Sequence, residues 1–447
     1  MTLSFISFFN SFHIMKRVIL LSFIILIFTG LSSSAQFQEI ILKQTIRSGI
    51  YKKGQKISVY AFPDGLAGDS LHVRVLKNNS QLLERKTIAT GKDSLLVYEG
   101  SSGDPCSVIV EVRAKGAISS IGILVDPQKL IPGAGLPKDF NAYWNDQKKA
   151  LQSLPFEVKS VPVADKNAES GFSCADVEIN CTGPKPVRGY FAKPVQATPK
   201  SLPAVLLVHA AGVKGSWCRS EPKNAIDYAK KGTICFDLNA HGMLDGQPES
   251  YYADLENGEL KNYFLQGVTS RDDFYFRGMY LRLLRTIDFL TRQPEWDGKR
   301  ILVIGESQGG GQALAAAGLD HRVSAVVAIV PAMCDFMGAL AGRRGGWPQP
   351  YETDASKEEM MKALPYYDNA NILRGSKATI FTEIGMIDLT CPPASVFAAV
   401  NQAKGKKIIY AVPYRPHQSQ PIQISNVKTW QETVYKPREA FINNYLK

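Results

Sequence analysis

Ser307 stands at the centre of Gly305-Glu306-Ser307-Gln308-Gly309. A serine hydroxyl is a weak nucleophile until a base takes its proton, and a Gly-x-Ser-x-Gly turn is one way of presenting it to such a base. Upstream, Ile301-Leu302-Val303-Ile304 is a short apolar run, as expected for a strand buried on both faces. Downstream, Gln312–Ala317 is rich in Ala and Leu and reads as helix. A lone motif of this kind could be an incidental glycine-rich connection. The strand before it and the helix after it favour a nucleophile elbow, in which side chains at 305 and 309 would collide with the neighbouring strand and helix. The N–H of Gln308, at the positive end of that helix, then faces the place where an oxyanion would develop.

A serine of this kind needs a histidine and an acid, and in α/β-hydrolase folds they follow it in the chain order Ser, acid, His. The chain has six histidines, and His417 alone follows Ser307 by more than a short connection. It lies in Tyr414-Arg415-Pro416-His417-Gln418, just after the apolar run Lys407–Val412. His321, on the way from the elbow helix to the next strand, reads as a surface histidine. Two acids are open. Asp388 lies in the loop after Phe381–Ile384, before Pro392-Pro393 opens a helix. Asp335 follows the strand Val323–Val330 and could instead be a helix cap. Asp388 is favoured because it ends the strand immediately before the one that delivers His417. The acid would fix the histidine tautomer and stabilise the imidazolium. A second oxyanion donor is expected from His209-Ala210-Ala211-Gly212-Val213, with the backbone N–H of Ala211 as the candidate and the His209 side chain as a structural group. Trp217 and Trp347 are the bulky candidates for walling an acyl pocket. No C-x-x-C or Cys/His spacing suggests a metal site, and no metal is expected.

The elements that would position these residues can be read in outline. At 447 residues, 45% of them hydrophobic, the chain is long enough for two domains with sizeable cores. Residues 36–130 read as all-β: Ile57, Val59 and Ala61 alternate with other residues, as do Leu71, Val73 and Val75, then Val108, Val110 and Val112, then Ile121, Ile123 and Val125. Turn signals such as Pro63-Asp64-Gly65 and Gly103-Asp104-Pro105 separate them, which suggests a small immunoglobulin-like sandwich. Its role is read as support, with carbohydrate binding as the other option. Ile131–Pro137 is a linker. From 136 to 447 strands alternate with helices, implying a mainly parallel sheet covered on both faces. The strands are placed at Ala204–His209, Thr233–Leu238, Arg300–Ile304, Val323–Val330, Ala378–Ile384 and Lys407–Val412. Ser173–Asn180 and Arg188–Ala192 form an antiparallel edge pair. Phe274–Arg292 is a helix whose stripe Tyr275, Met279, Leu283, Ile287 and Leu290 is core rather than site.

Residues 1–35 read as a signal peptide: Lys16-Arg17, the apolar run Val18–Phe28, then Ser33 and Ala35 before a cleavage point at Gln36. The run is short for a membrane span. Cleavage removes two of the eleven net positive charges, leaves +9, and implies a periplasmic or extracellular protein with no membrane span. The remaining charges are dispersed, so no nucleic acid partner is expected. Seven cysteines follow the signal, an odd number. Cys174 and Cys181 share one strand and would be about 23 Å apart if fully extended, too far to pair. Whether Cys334 and Cys391 pair is open.

From Leu136 onward the chain resembles the acetyl xylan esterase/cephalosporin C deacetylase family, carbohydrate esterase family seven. The pieces that carry the resemblance are Pro137-Lys138-Asp139-Phe140 with Tyr143-Trp144, Phe274–Tyr280, Ser307-Gln308-Gly309-Gly310-Gly311, Asp388 running into Cys391-Pro392-Pro393, and His417. The resemblance implies removal of acetyl groups from small sugars or xylo-oligosaccharides without a cofactor. It implies Ser307 as nucleophile, His417 as base, Asp388 as its partner, and an oxyanion hole from Gln308 and Ala211. The family often forms ring-shaped oligomers, which leaves a homo-oligomer open here. The chain departs from the family pattern at Ala211, where a tyrosine is usual, at Ala240-His241-Gly242-Met243, where Arg-Gly-Gln is usual, at His417-Gln418, where His-Glu is usual, and in its extra N-terminal sandwich. The other readings are a dienelactone hydrolase, a prolyl-oligopeptidase-like peptidase, or a carbohydrate-binding surface protein with an inactive hydrolase domain.

Overall fold

The structure, a computed structural model, describes residues 40–447 apart from 64–67, 92, 116, 164–170, 354–355 and 419–423. The expected signal peptide and the turn residues Asp64 and Gly65 lie outside the described residues.

Eight strands come first: β1 (Ile40–Gln44), β2 (Ile50–Tyr51), β3 (Ile57–Pro63), β4 (Ser70–Lys77), β5 (Gln81–Ala89), β6 (Leu95–Gly100), β7 (Cys106–Ala114) and β8 (Ala117–Val125). They form a three-stranded sheet, β1-β3-β6, and a five-stranded sheet, β2-β8-β7-β4-β5. Strand geometry sends alternate side chains to opposite faces. The four alternating triplets of the sequence accordingly all lie inside one buried cluster shared by the two sheets. This is a sandwich.

Nine further strands build one sheet: β9 (Val158–Pro162), β10 (Phe172–Ile179), β11 (Val187–Pro194), β12 (Leu202–Val208), β13 (Ile234–Leu238), β14 (Trp296–Glu306), β15 (Ala325–Ile329), β16 (Thr379–Gly385) and β17 (Lys407–Val412). Their order is β17-β16-β15-β14-β12-β13-β11-β10-β9. The strands from β17 to β13 run parallel, and β11, β10 and β9 are each antiparallel to the neighbour before. This is the α/β-hydrolase arrangement expected from the alternation of elements. The pair read as the sheet edge is β10–β11, but β9 lies outside it and forms the edge. All five β9 residues are exposed, so the strand lacks the buried alternation by which sequence reading finds strands.

The apolar run of β14 is buried on both sides as its composition demands: Ile301 and Val303 join the core on one face and Leu302 the core on the other. The helices used below are α1 (Phe140–Ser153), α2 (Tyr275–Thr291), α3 (Gln308–Leu319) and α4 (Pro393–Val400). The α2 stripe is core at Met279, Leu283, Ile287 and Leu290, all fully buried. Its other faces are buried too. Arg285 donates to the carbonyls of Leu151, Leu154, Pro155 and Asn180, tying α2 to the end of α1 and to the residue after β10.

The chain order turns around at β12, which has β13 on one side and β14 on the other. In open α/β sheets the crevice beyond the carboxyl ends of the strands at such a switch point is where ligands bind. The loop after β12 carries Ala211 and the turn after β14 carries Ser307. Two oxyanion donor candidates 97 residues apart in sequence, by the numbering, therefore emerge from adjacent strands.

Candidate active site

Ser307 is the residue before α3 and has φ 56°, ψ −119°. A side chain at positive φ is strained by about 1–3 kcal/mol, and surrounding structure must hold it there. Three backbone bonds do so: Ser307 N donates to Ile329 O at 2.9 Å, and Ser307 O accepts from Gly311 N at 3.0 Å and Ala332 N at 2.9 Å. The two motif glycines are required by space. A Cβ on Gly305 would lie 2.4 Å from the carbonyl carbon of Gly309, and one on Gly309 would lie 2.4 Å from Val208 O. Helix α3 can thus begin directly against the end of β12.

His417 Nε2 lies 2.9 Å from Ser307 Oγ, and His417 Nδ1 lies 2.8 Å from Asp388 Oδ2. An ionised carboxylate only accepts, so Nδ1 carries the proton and Nε2 is left to accept from the serine hydroxyl. Asp388 is fully buried. Its other oxygen, Oδ1, accepts from the backbone N–H groups of Thr390 at 2.8 Å and Cys391 at 2.7 Å. The histidine loop is fixed two residues earlier by a fully buried ion pair: Arg415 Nε meets Glu383 Oε1 at 2.5 Å, and Trp430 Nε1 donates to the same oxygen at 2.6 Å. Glu383 belongs to β16, the strand that delivers Asp388. One buried guanidinium therefore joins the two loops.

Asp335 does not join this line. Its Oδ1 accepts from Gly133 N at 2.7 Å and its Oδ2 meets Arg343 at 2.6 Å, while Arg343 also donates to Ile131 O. It caps no helix by its side chain; it anchors the linker. His321 is exposed. His209 pairs with the buried carboxylate of Asp237, which also accepts from Glu221 N and from Asn224, so it serves the structure, as expected.

Gln308 is the first residue of α3, so its N–H is among those without an acceptor inside the helix. Its side-chain Oε1 accepts from Tyr263 Oη at 2.6 Å, and the same hydroxyl accepts a long bond, 3.4 Å, from Gly212 N. Tyr263 thus spans from the helix start to the residue after Ala211. His241 holds the other side of that residue. Its Nε2 donates to Gly212 O at 2.9 Å, and its Nδ1 accepts from Tyr275 Oη at 2.6 Å. Trp217 is two-thirds exposed and donates from Nε1 to Ala211 O at 3.1 Å. Trp347 packs on Phe264 and Phe276. The roles of Tyr263, His241 and Tyr275 were not legible from spacing. Tyr275 reads as the first core position of α2, yet its hydroxyl serves His241.

Asp388, Cys391 and His417 offer ligand atoms within 4.8 Å of one another. The donor chemistry does not suit a cation. Both Asp388 oxygens already accept hydrogen bonds, His417 uses Nδ1 for one of them, and burial first, then the Asp388 charge, pushes the Cys391 thiol well above its ordinary value. No disulfide forms among the described residues, and Cys334 and Cys391 are both buried thiols.

Residues 128–433 match the acetyl xylan esterase (AXE1) family. The chain belongs to the acetyl xylan esterase family, a family of carboxylic ester hydrolases. The matched span contains Ser307, Asp388 and His417. The acetyl esterase Axe7A of Xylanibacter ruminicola is 33% identical over 298 residues, 65% of this chain and 66% of that protein, so the chain spans about two thirds of that relative's length. The acetyl xylan esterase from Paenibacillus sp. R4 superposes with a TM-score of 0.58 at 26% identity, over 70% of this chain and 98% of that one. Acetyl xylan esterase 1 from Thermoanaerobacterium sp. JW/SL YS485 shares the fold, with a TM-score of 0.57 at 21% identity over 72% and 98% of the two chains. His241 lies in the loop after β13 and is bonded to the neighbouring loop at Gly212, the residue after Ala211.

The burial of His241 has a pH consequence. Burial first, and the nearby Arg282 second, push the His241 imidazole down to about 3. In the unfolded chain an ordinary histidine titrates near about 6.5. Between those values the unfolded state binds a proton that the folded state refuses. The stability is fully present above about 6.5 and is lost as pH falls toward about 3, at up to about 1.4 kcal/mol per pH unit. His241→Gln lacks that proton. The melting temperature of the native protein should therefore drop more between about pH 7 and about pH 5 than that of the variant. Equal drops, measured by circular dichroism, would show that His241 is not the source.

Proposed function

We propose that this acetyl xylan esterase family member is a serine carboxylesterase that removes acetyl groups from acetylated sugars or xylo-oligosaccharides. The observation that carries the reading is the unbroken line Ser307 Oγ, His417 Nε2, His417 Nδ1, Asp388 Oδ2, with steps of 2.9 and 2.8 Å. Ser307 attacks the acetyl carbonyl while His417 takes the hydroxyl proton, and Asp388 stabilises the resulting imidazolium. The N–H groups of Gln308 and Ala211 receive the oxyanion. His417 then gives its proton to the departing sugar oxygen, and a water repeats the sequence to free acetate. No step uses a metal or cofactor. The two-sheet sandwich is unlike the propeller of a prolyl-oligopeptidase, and the complete hydrogen-bonded line argues against an inactive carbohydrate-binding domain.

Ser307→Ala should fold and lose several orders of magnitude in acetate release from acetylated xylan. Asp388→Asn keeps the shape but favours the wrong tautomer, and the equivalent change in a known triad costs about 10⁴ in turnover. Asp335→Asn should instead lower stability by about 3–5 kcal/mol, because it leaves Arg343 buried without its partner, while sparing turnover of the folded fraction. A dead Asp335 variant beside an active Asp388 variant would move the acid to β15.

The acyl pocket is read as small, with Trp217 beside the oxyanion loop and Trp347 packed on Phe264. p-Nitrophenyl acetate should be hydrolysed faster than the octanoate. The reverse order would point to a lipase-like enzyme.

Export follows from residues 1–35 and gives the enzyme access to polysaccharide outside the cytoplasm. No helix among the described residues is long and apolar enough to cross a membrane. N-terminal sequencing of the mature protein should begin at Gln36; a mature chain that retains Val18–Phe28 would replace cleavage by an anchor.

A further inference from the structure

The tip of a β-hairpin is ordinarily wet, and its residues are free to vary. The β4–β5 tip departs from that rule. Asn78 and Asn79 both adopt the left-handed conformation, φ 54° and 60°, and Asn79 is 94% buried, with only 6% of its surface exposed. The sandwich grips this tip from within. Asn78 N donates to Ser107 O at 2.8 Å, Ser107 N donates to Asn78 Oδ1 at 3.1 Å, and Ser107 Oγ makes a long 3.4 Å bond to Asn79 Oδ1. The amide of Asn79 is thereby turned outward from the sandwich, and its Nδ2 donates to the backbone carbonyl of Asp388 at 2.7 Å.

This is one of several contacts the sandwich makes with the two loops that carry Asp388 and His417. Gly122 of β8 donates from its N–H to Pro413 O at 2.7 Å, four residues before His417. The Met386 side chain, two residues before Asp388, lies against Gly49 and Gly122, where a Cβ would come within 2.8 and 2.4 Å of it. Asn401 at the end of α4 donates to Pro127 O and Leu130 O at 2.9 and 3.0 Å. The sandwich therefore abuts the loops that carry Asp388 and His417.

We propose that Asn79 is a positioning residue, by which the N-terminal sandwich holds the main chain of Asp388 so that its carboxylate meets His417. The inference rests on the reading of Asp388 as the catalytic acid. Asn79 touches neither substrate nor reacting atoms; it acts through Asp388. The Asp388 side chain is fixed by Thr390 N and Cys391 N within its own loop, and Asn79 supplies an anchor from a separate sheet. Loss of that anchor lets the loop shift as a unit, and a shift of a few tenths of an ångström at Oδ2 is felt at His417 Nδ1.

Asn79→Gly tests this in the full chain, because glycine keeps the left-handed turn while removing the donor to Asp388 O together with the long Ser107 contact. The expected result is a kcat for p-nitrophenyl acetate lowered about tenfold with KM within about twofold of native, as for an interaction that acts on the chemical step. The same change made in Asp388→Asn should lower kcat by less than about twofold, since the path through the carboxylate is already broken. A native kcat in folded Asn79→Gly, or the same fold-loss in both backgrounds, overturns the inference. If the glycine variant does not fold, Asn79→Asp, which keeps shape and turn preference and loses the donor, is read by the same two criteria. Full turnover in Asp388→Asn alone overturns the reading of the acid, and the positioning role with it. That outcome is distinct from a dead Asp388→Asn beside an unaffected Asn79 variant.

Discussion

The backbone of Ser307 is held where a residue with a side chain does not rest by choice, and the rest of the molecule is arranged to keep it there. Positive φ puts the hydroxyl beyond the carboxyl end of β14, clear of both sheet neighbours. The strain of about 1–3 kcal/mol is borne by backbone bonds to Ile329, Gly311 and Ala332, which come from β15, α3 and the loop beyond β15. The two glycines allow α3 to start against Val208. That contact brings the helix N-terminus and the loop after β12 together, so the N–H groups proposed to receive an oxyanion, on Gln308 and Ala211, depend on the same close approach.

The histidine and acid arrive from two later loops, and each loop is pinned more than once. Arg415, fully buried, ties the histidine loop to Glu383 on the acid's own strand. An ion pair of this kind gains little net stability over apolar packing, but it fixes geometry, because neither partner can leave the other. Both Asp388 oxygens accept, Oδ1 from Thr390 and Cys391 and Oδ2 from His417, which fixes the carboxylate orientation. The sandwich then presses on both loops from outside, through Asn79, Gly122 and the glycine-lined space around Met386.

Much of this was legible in the sequence because it is local or ordered along the chain. The elbow is readable from five residues and their flanks. His417 is readable from chain order, and Asp388 from its place at the end of the penultimate strand of the sheet. The sandwich core is readable from alternation at Val108, Val110 and Val112. What could not be read is contact between elements distant in sequence. Asn79 and Asp388 are 309 residues apart, Tyr263 and Gln308 are 45 apart, and nothing in either neighbourhood signals the partner. Asp335 looked like a competing acid because it follows a strand in the right order; only its meeting with Arg343 and Gly133 shows it to be an anchor. Strand β9 was missed because all of it faces solvent.

The central claim is that Ser307 becomes covalently acylated by the ester. The most direct measurement is peptide mapping by mass spectrometry after reaction with a fluorophosphonate. The account predicts a single stoichiometric phosphonyl adduct on the peptide containing Ser307, absent from Ser307→Ala and slowed in His417→Ala. An adduct on another residue, or an active enzyme that forms none, would contradict it.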